Sequence, residues 1–248
     1  MNFFSLFKRK LIFYFKNKEN IDNHYFKKSV SLEHLFSYYG TDKAEKHRKV
    51  IGWSNGEGHG FSKYYIRHIK KFKDKKINFL EIGCGQGISA AAFTKYLKKS
   101  TAYCLDVNLT NVSIKSKRIN YFGLNSSNIK QMINFLKKSD QKRNSFNFII
   151  DDGSHNLSDQ LFSLNFFFKH LKKNSIYIIE DYKFPNYFKR NYDVKELKIS
   201  EMITKIRKKK YFKSKIIEKE TIDELFSSKI YQYKGNGDYS DIVFFEKG

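Results

Sequence analysis

"FLEIGCGQGIS", residues Phe79 to Ser89, decides the fold. A short apolar run stops at Gly83, Gly85 and Gly87, and a helical pattern, "ISAAAFTKYLKK", follows directly. Glycine lets a backbone turn tightly and approach a ligand closely, and the helix after such a turn offers that ligand its N-terminus. A Walker loop would end in Gly-Lys-Ser/Thr, and a dinucleotide fingerprint would be spaced G-x-G-x-x-G. Here the spacing is G-x-G-x-G, with Glu81 two residues before the first glycine.

Outward from this turn, strands and helices alternate. "AYCLDV" (102–107), "RINYFGLN" (118–125), "FNFIIDD" (146–152) and "SIYIIED" (175–181) read as strands. "NIKQMINFLKK" (128–138) and "NLSDQLFSLNFFFKHLKK" (156–173) read as helices. Short apolar strands between helices imply a parallel sheet covered on both faces, with right-handed crossovers. At the end, "KIYQYKGNGDYSDIVFFEKG" places two β-rich runs around "GNGD", a hairpin connection. The expected fold is therefore α/β. It is a Rossmann-like, seven-stranded, mostly parallel sheet with a terminal antiparallel hairpin, helices on both faces and a helical N-terminal extension.

The expected organisation has three parts. Residues 1–28 are a basic, aromatic leader. Residues 29–76 are a helical and lid segment, in which Leu32, Leu35 and Phe36 have helical spacing and Gly40 marks the stop. Residues 41–60 carry four glycines and read as a long loop, functional or mobile. Residues 77–248 form the ligand-binding domain. Its basic insertion at 183–228 holds the only proline, Pro185, and a helix around "ISEMITKIRKKK".

The chain has 248 residues, is 40% hydrophobic and carries a formal net charge of +23. That balance favours anionic partners such as nucleic acid, acidic lipid or anionic glycan. The lysines are scattered, so a merely solvated surface accounts for the same count. Cys84 and Cys104 fall in strand or strand-end segments and outline neither a disulfide framework nor a zinc site. A reducing interior, hence the cytoplasm, is the expected setting. No apolar run reaches the roughly 18 residues needed to span a bilayer. The leader lacks a clean apolar core and a cleavage site, so it reads as a helix packed on the domain or on a second subunit of a homo-oligomer. The alternative is an interfacial anchor, residues 1–18 touching the inner face of a membrane.

Carboxylates cluster in this pattern. Glu81 beside the glycine loop would repel a pyrophosphate but suits the cationic aminoacyl end of S-adenosylmethionine. Asp106 ends the next strand, where it would take ribose hydroxyls. Against this stands a tight strand-to-helix turn with no ligand. Asp152 ends the fourth predicted strand, and Glu180 and Asp181 end the fifth. Neighbouring strands lie roughly 4.8 Å apart, so these acids would repel one another or keep a proton. A hard divalent cation, Mg²⁺ or Mn²⁺, relieves the conflict and can acidify a substrate hydroxyl. His155, three residues beyond Asp152, is a competent base near pH 7. The plainer readings are that Asp151 caps backbone amides or contacts the cofactor, that His155 bonds a loop, and that Glu180 pairs with a lysine.

Together, "LEIGCGQG", "DDGSHNLSDQ" and "YIIEDY" resemble the metal-dependent class I methyltransferases that act on sugar hydroxyls, of the macrolide-sugar O-methyltransferase and related cephalosporin-hydroxylase-like type. The resemblance covers roughly residues 38–182 and the closing "SDIVFFEK"; "YGTDK" and "HGFSKYY" resemble the segment before the first strand. It implies metal ligation by Asp152, Glu180 and Asp181, with His155 as general base. It implies cofactor contacts from Glu81, Gly83, Gly85 and Asp106, with Gly87 completing the loop. Asn125 and Ser126 fall where adenine is held, and Lys43 and His59 in an active-site cover. The implied activity is methyl transfer from S-adenosylmethionine to a sugar hydroxyl in glycan or surface-polysaccharide biosynthesis, the acceptor being free, nucleotide-linked, lipid-linked or polymeric. Two rivals remain: an RNA methyltransferase using the basic surface around "TKIRKKKYFKSKI" (203–215), and a membrane-surface scaffold using residues 1–18.

Overall fold

The computed structural model describes residues 3–26, 30–46, 56–183, 194–238 and 240–248. The middle of the glycine-bearing loop, at 47–55, and the stretch 184–193 with Pro185 lie outside the described residues. In chain order the elements are α1 (Phe3–Phe15), β1 (Glu19–Asn20), α2 (Leu32–Tyr39), α3 (Ser62–Ile69), β2 (Ile77–Ile82), α4 (Ile88–Tyr96), β3 (Ser100–Asp106), β4 (Ile114–Lys115) and β5 (Ile119–Gly123). There follow α5 (Ile129–Lys138), β6 (Phe146–Asp151), α6 (Leu157–Phe168), β7 (Leu171–Glu180), α7 (Ile199–Arg207), α8 (Lys219–Phe226), β8 (Lys229–Lys234) and β9 (Asp241–Glu246). Seven strands form one sheet in the order β5-β3-β2-β6-β7-β9-β8. β2, β3 and β5 run parallel, β6 and β7 run parallel, and β9 pairs antiparallel with both β7 and β8. The expected α/β sheet with a closing hairpin is the one observed.

The chain forms two compact units, residues 1–125 and 126–248. In the first, local signals set the helix ends. Ser31 caps α2 by accepting from the His34 amide at 3.1 Å, and Gly40 closes it in the left-handed region at φ 81°. Phe36, Tyr65 and Phe79 meet Phe93 of α4 edge-on, with ring centroids 5.1, 5.0 and 5.9 Å away. The leader is part of this unit. Lys16 Nζ donates to the carbonyls of Thr110 and Asn111 at 2.9 and 3.1 Å, and the Phe13 ring stands edge-on to Tyr121. β1 pairs with β4.

In the second unit, Asn128 caps α5 by accepting from the Gln131 amide, and Met132 and Phe135 turn inward while Lys130, Lys137 and Lys138 face water. β6 and most of β7 are buried, as befits strands covered on both faces. One expectation is corrected here. Leu171, Lys172 and Lys173 do not continue α6; they open β7, because both Ser145 and Phe146 donate their amides to the His170 carbonyl and start the ladder there. α8, where no element was expected, is an amphipathic helix burying Thr221, Ile222 and Leu225. No helix among the described residues is long and apolar enough to cross a membrane.

Candidate active site

The glycine loop of the first unit is built by backbone geometry. Gly83, Gly85 and Gly87 hold φ values of 82°, 50° and 82°, which side-chain-bearing residues adopt only at a cost. Gly83 donates to the Leu105 carbonyl at 2.8 Å, tying the turn to β3. Asp106 organises the rest: Oδ2 accepts from the Gly85 amide at 2.9 Å and Oδ1 from the Asn108 amide at 2.8 Å. Open space lies where a Cβ on Gly85 would point. The loop is thus held from one side and clear on the other, the form a close-fitting ligand needs.

Glu81 lies beneath this loop and is fully buried. Its Oε1 accepts from the Ser89 hydroxyl at 2.5 Å, joining the end of β2 to the first turn of α4. The strand registers set Glu81 beside Cys104, and Cys104 beside Tyr121. The Tyr121 hydroxyl reaches Gly87, where an added Cβ would lie 2.2 Å from it. Burial drives the Tyr121 phenol well above its ordinary pKa, with the nearby thiols and Glu81 adding to the shift. Tyr121 packs against the loop at Gly87, a contact that its place in a plain strand pattern did not signal.

In the second unit, the structure brings together Asp152, His155 and Asp181. One ligand atom from each lies within 4.8 Å of the others, and all three are partly exposed. His155 Nε2 stands 3.7 Å from Asp152 Oδ1. Two of the three, His155 and Asp181, hold left-handed backbone conformations. Such conformations cost about 1–3 kcal/mol each and persist where surrounding structure enforces them, commonly at functional sites. Glu180 ends β7 buried and is not part of this group. The two carboxylates at this spacing suit a divalent cation, with the imidazole beside them.

Asp151 is buried at the end of β6. It accepts from the Gly153 amide at 3.3 Å and from the Tyr177 hydroxyl at 3.4 Å, and burial pushes its carboxyl up to about 7. Asp159 holds the loop between Asp152 and α6. It accepts from Ser127 and Ser154 hydroxyls at 2.5 Å each and from Asn156 Nδ2 at 3.2 Å. The spacing of Asn156 at the N-cap and Asp159 three residues on was the available signal, since it resembles a capping box.

Of the other expected residues, Asn125 is exposed and Ser126 half-buried, both in the turn after β5. Lys43 is buried. Its segment is laced to residues 58–61: His59 donates its amide to Asp42, Gly60 to Ala44 and Phe61 to Lys43. His59 stacks on Phe61 and keeps Nε2 3.8 Å from Asp42 Oδ2. The described ends of the expected cover are thus joined to each other by backbone hydrogen bonds.

Three comparisons bear on this arrangement. A mycinamicin-pathway methyltransferase solved with Mg and SAH superposes with a TM-score of 0.64 at 21% identity, covering 88% of this chain and 55% of that one. The fold is therefore the Rossmann-like one of methyltransferases. Residues 73–233 match the family described as "Methyltransferase domain", and the chain belongs to that family. Among curated proteins, it is 28% identical over 135 residues to L-olivosyl-oleandolide 3-O-methyltransferase of Streptomyces antibioticus. It is 25% identical over 130 residues to mycinamicin VI 2''-O-methyltransferase of Micromonospora griseorubida. These matches cover 51% and 50% of this chain but only 33% and 31% of the relatives, so the chain spans about a third of their length.

Proposed function

We propose that the protein is an S-adenosylmethionine- and divalent-metal-dependent O-methyltransferase acting on a sugar hydroxyl, in glycan or surface-polysaccharide assembly. The observation that carries this reading is the convergence of Asp152, His155 and Asp181 within 4.8 Å, in a chain of the methyltransferase family. The likeness to macrolide-sugar O-methyltransferases supports the sugar acceptor.

Bound S-adenosylmethionine supplies the methyl group on a cationic sulfur, and a divalent cation supplies positive charge that acidifies a nearby hydroxyl. The chain's own groups do the rest. The glycine loop would admit the donor close to the backbone, while Asp106, which orders that loop, would take the ribose hydroxyls. Asp152 and Asp181 would hold the cation. His155, kept beside Asp152, takes the proton as the acceptor oxygen forms its bond to the methyl carbon and the carbon–sulfur bond breaks, its electron pair leaving on sulfur as a neutral thioether. Asp159 keeps the His155 loop in place.

The test is methyl transfer from labelled S-adenosylmethionine into cell-envelope glycan fractions and into RNA, before and after chelation. Label in glycan that chelation abolishes and Mg²⁺ or Mn²⁺ restores is expected. Transfer that survives chelation would remove the metal from the reading, and label in RNA would remove the sugar.

A further inference from the structure

We propose that Asp241 is a positioning residue for Asp181: held by Lys183, it fixes the backbone that aims the Asp181 carboxylate at the proposed cation. The inference rests on the metal site proposed above. Asp181 is the first residue beyond β7 and turns there through a left-handed conformation, φ 48°. The turn sets the direction in which the Asp181 side chain leaves the strand, so ties on the next two residues fix the backbone from which its carboxylate points.

Both following residues are tied to the closing hairpin. The Tyr182 hydroxyl accepts from Gln232 Nε2 of β8 at 2.7 Å. Lys183 Nζ donates to Asp241 Oδ1 at 2.6 Å. Asp241 opens β9, whose register pairs Glu180 with Ile242, so the antiparallel ladder carries Asp241 to the level of Asp181. The Asp241 side chain is only 4% exposed, against 38% for Lys183. A buried carboxylate needs its cation, which makes Asp241 the fixed end and Lys183 the strap. The hairpin, which contributes no residue to the Asp152–His155–Asp181 group, thereby sets its geometry.

The test uses the whole chain and follows Mn²⁺ binding by electron paramagnetic resonance, with S-adenosylmethionine affinity and thermal unfolding measured beside it. Asp241→Asn is expected to weaken Mn²⁺ binding by about 10- to 100-fold, the range typical of residues that orient metal ligands, and to leave S-adenosylmethionine affinity within about twofold. Lys183→Met should weaken Mn²⁺ binding similarly, and the double variant should be no worse than either single one, since both remove one strap. Wild-type Mn²⁺ affinity in folded Asp241→Asn, or in Lys183→Met should Asp241→Asn not fold, overturns the proposal. So does a loss of Mn²⁺ and S-adenosylmethionine affinity in equal measure, which would mark a purely structural role. If the wild-type chain binds no Mn²⁺, the metal reading itself fails and this inference falls with it.

Discussion

His155 and Asp181 share a left-handed backbone state, φ 54° and 48°, and lie in one group of potential ligands with Asp152. Neither is glycine, the residue that adopts this conformation without a steric cost. Glycine would relieve the backbone at both places, and an imidazole and a carboxylate stand there instead. This is the pattern expected where side-chain chemistry outweighs local strain.

At His155 the two demands can be separated. His155→Gly and His155→Ala both remove the base, but only alanine keeps the left-handed penalty. The glycine variant should be more stable than the alanine variant by about 1 kcal/mol, read by denaturant unfolding. Both should lose methyl transfer by about 10²-fold or more, the usual worth of a general base. Activity near wild type in either variant would end the assignment of His155 as base.

The glycine loop offers a similar contrast. A methyl on Gly87 would meet the Tyr121 hydroxyl at 2.2 Å, whereas one on Gly85 would point into open space. Gly87→Ala should therefore cost about 2–4 kcal/mol of stability, overpacking added to backbone strain. Gly85→Ala should cost only about 1–2 kcal/mol, yet weaken S-adenosylmethionine binding at least tenfold, because the added carbon stands where the ligand approaches. Calorimetric titration beside thermal unfolding separates the two. Equal losses of stability, or unchanged affinity in Gly85→Ala, would contradict the loop's proposed role.

Asp159 tests how the His155 loop is held. Its carboxylate accepts from Ser127, Ser154 and Asn156. Asp159→Ala leaves those donors without their shared acceptor and should cost about 1–3 kcal/mol. Methyl transfer should fall further than stability alone explains, with kcat lowered at saturating substrate. A variant that unfolds more easily but turns over normally would show that the loop needs no such anchor.

Much of this was legible in the residue pattern because periodicity and glycine placement are local signals. The "LEIGCGQG" stretch spans one strand end and the turn after it, the apolar runs "FNFII" and "IYII" each lie in a single strand, and the sheet followed from their alternation with helices. The switch from α6 to β7 at Leu171 was hidden, since "HLKKN" continues a helical pattern and only pairing with β6 reveals the strand. The place of Glu180 was hidden for a related reason. A strand end shows which residues are near the rim, but the turn at Asp181 decides which of two adjacent acids faces Asp152. Tyr121 and Asp241 act across strands, through registers that no single segment carries.

His170 makes the stability of the second unit depend on pH. It is 6% exposed, and its Nδ1 lies 3.1 Å from the Lys142 carbonyl, so the neutral ring donates there. Burial lowers its pKa below 6.5, and the charges of Lys169, Arg143 and Lys247 oppose protonation further, while the Lys142 contact works the other way. The unfolded chain takes up this proton near pH 6.5, and the folded chain only at lower pH. For this group the unfolded state thus binds more protons in that window, so the contribution of His170 falls as pH falls through it, while the buried Asp151 carboxyl, raised to about 7, takes up a proton in the folded chain and works the other way. The contribution is fully present above pH 6.5 and is lost as pH drops towards the depressed folded value. His170→Asn, which keeps a donor for the Lys142 carbonyl but cannot titrate, should gain unfolding temperature relative to the wild-type chain as pH is lowered from 7 to 5, since Asp151 titrates alike in both. Identical slopes in the two proteins would show that the buried imidazole does not govern this acid sensitivity.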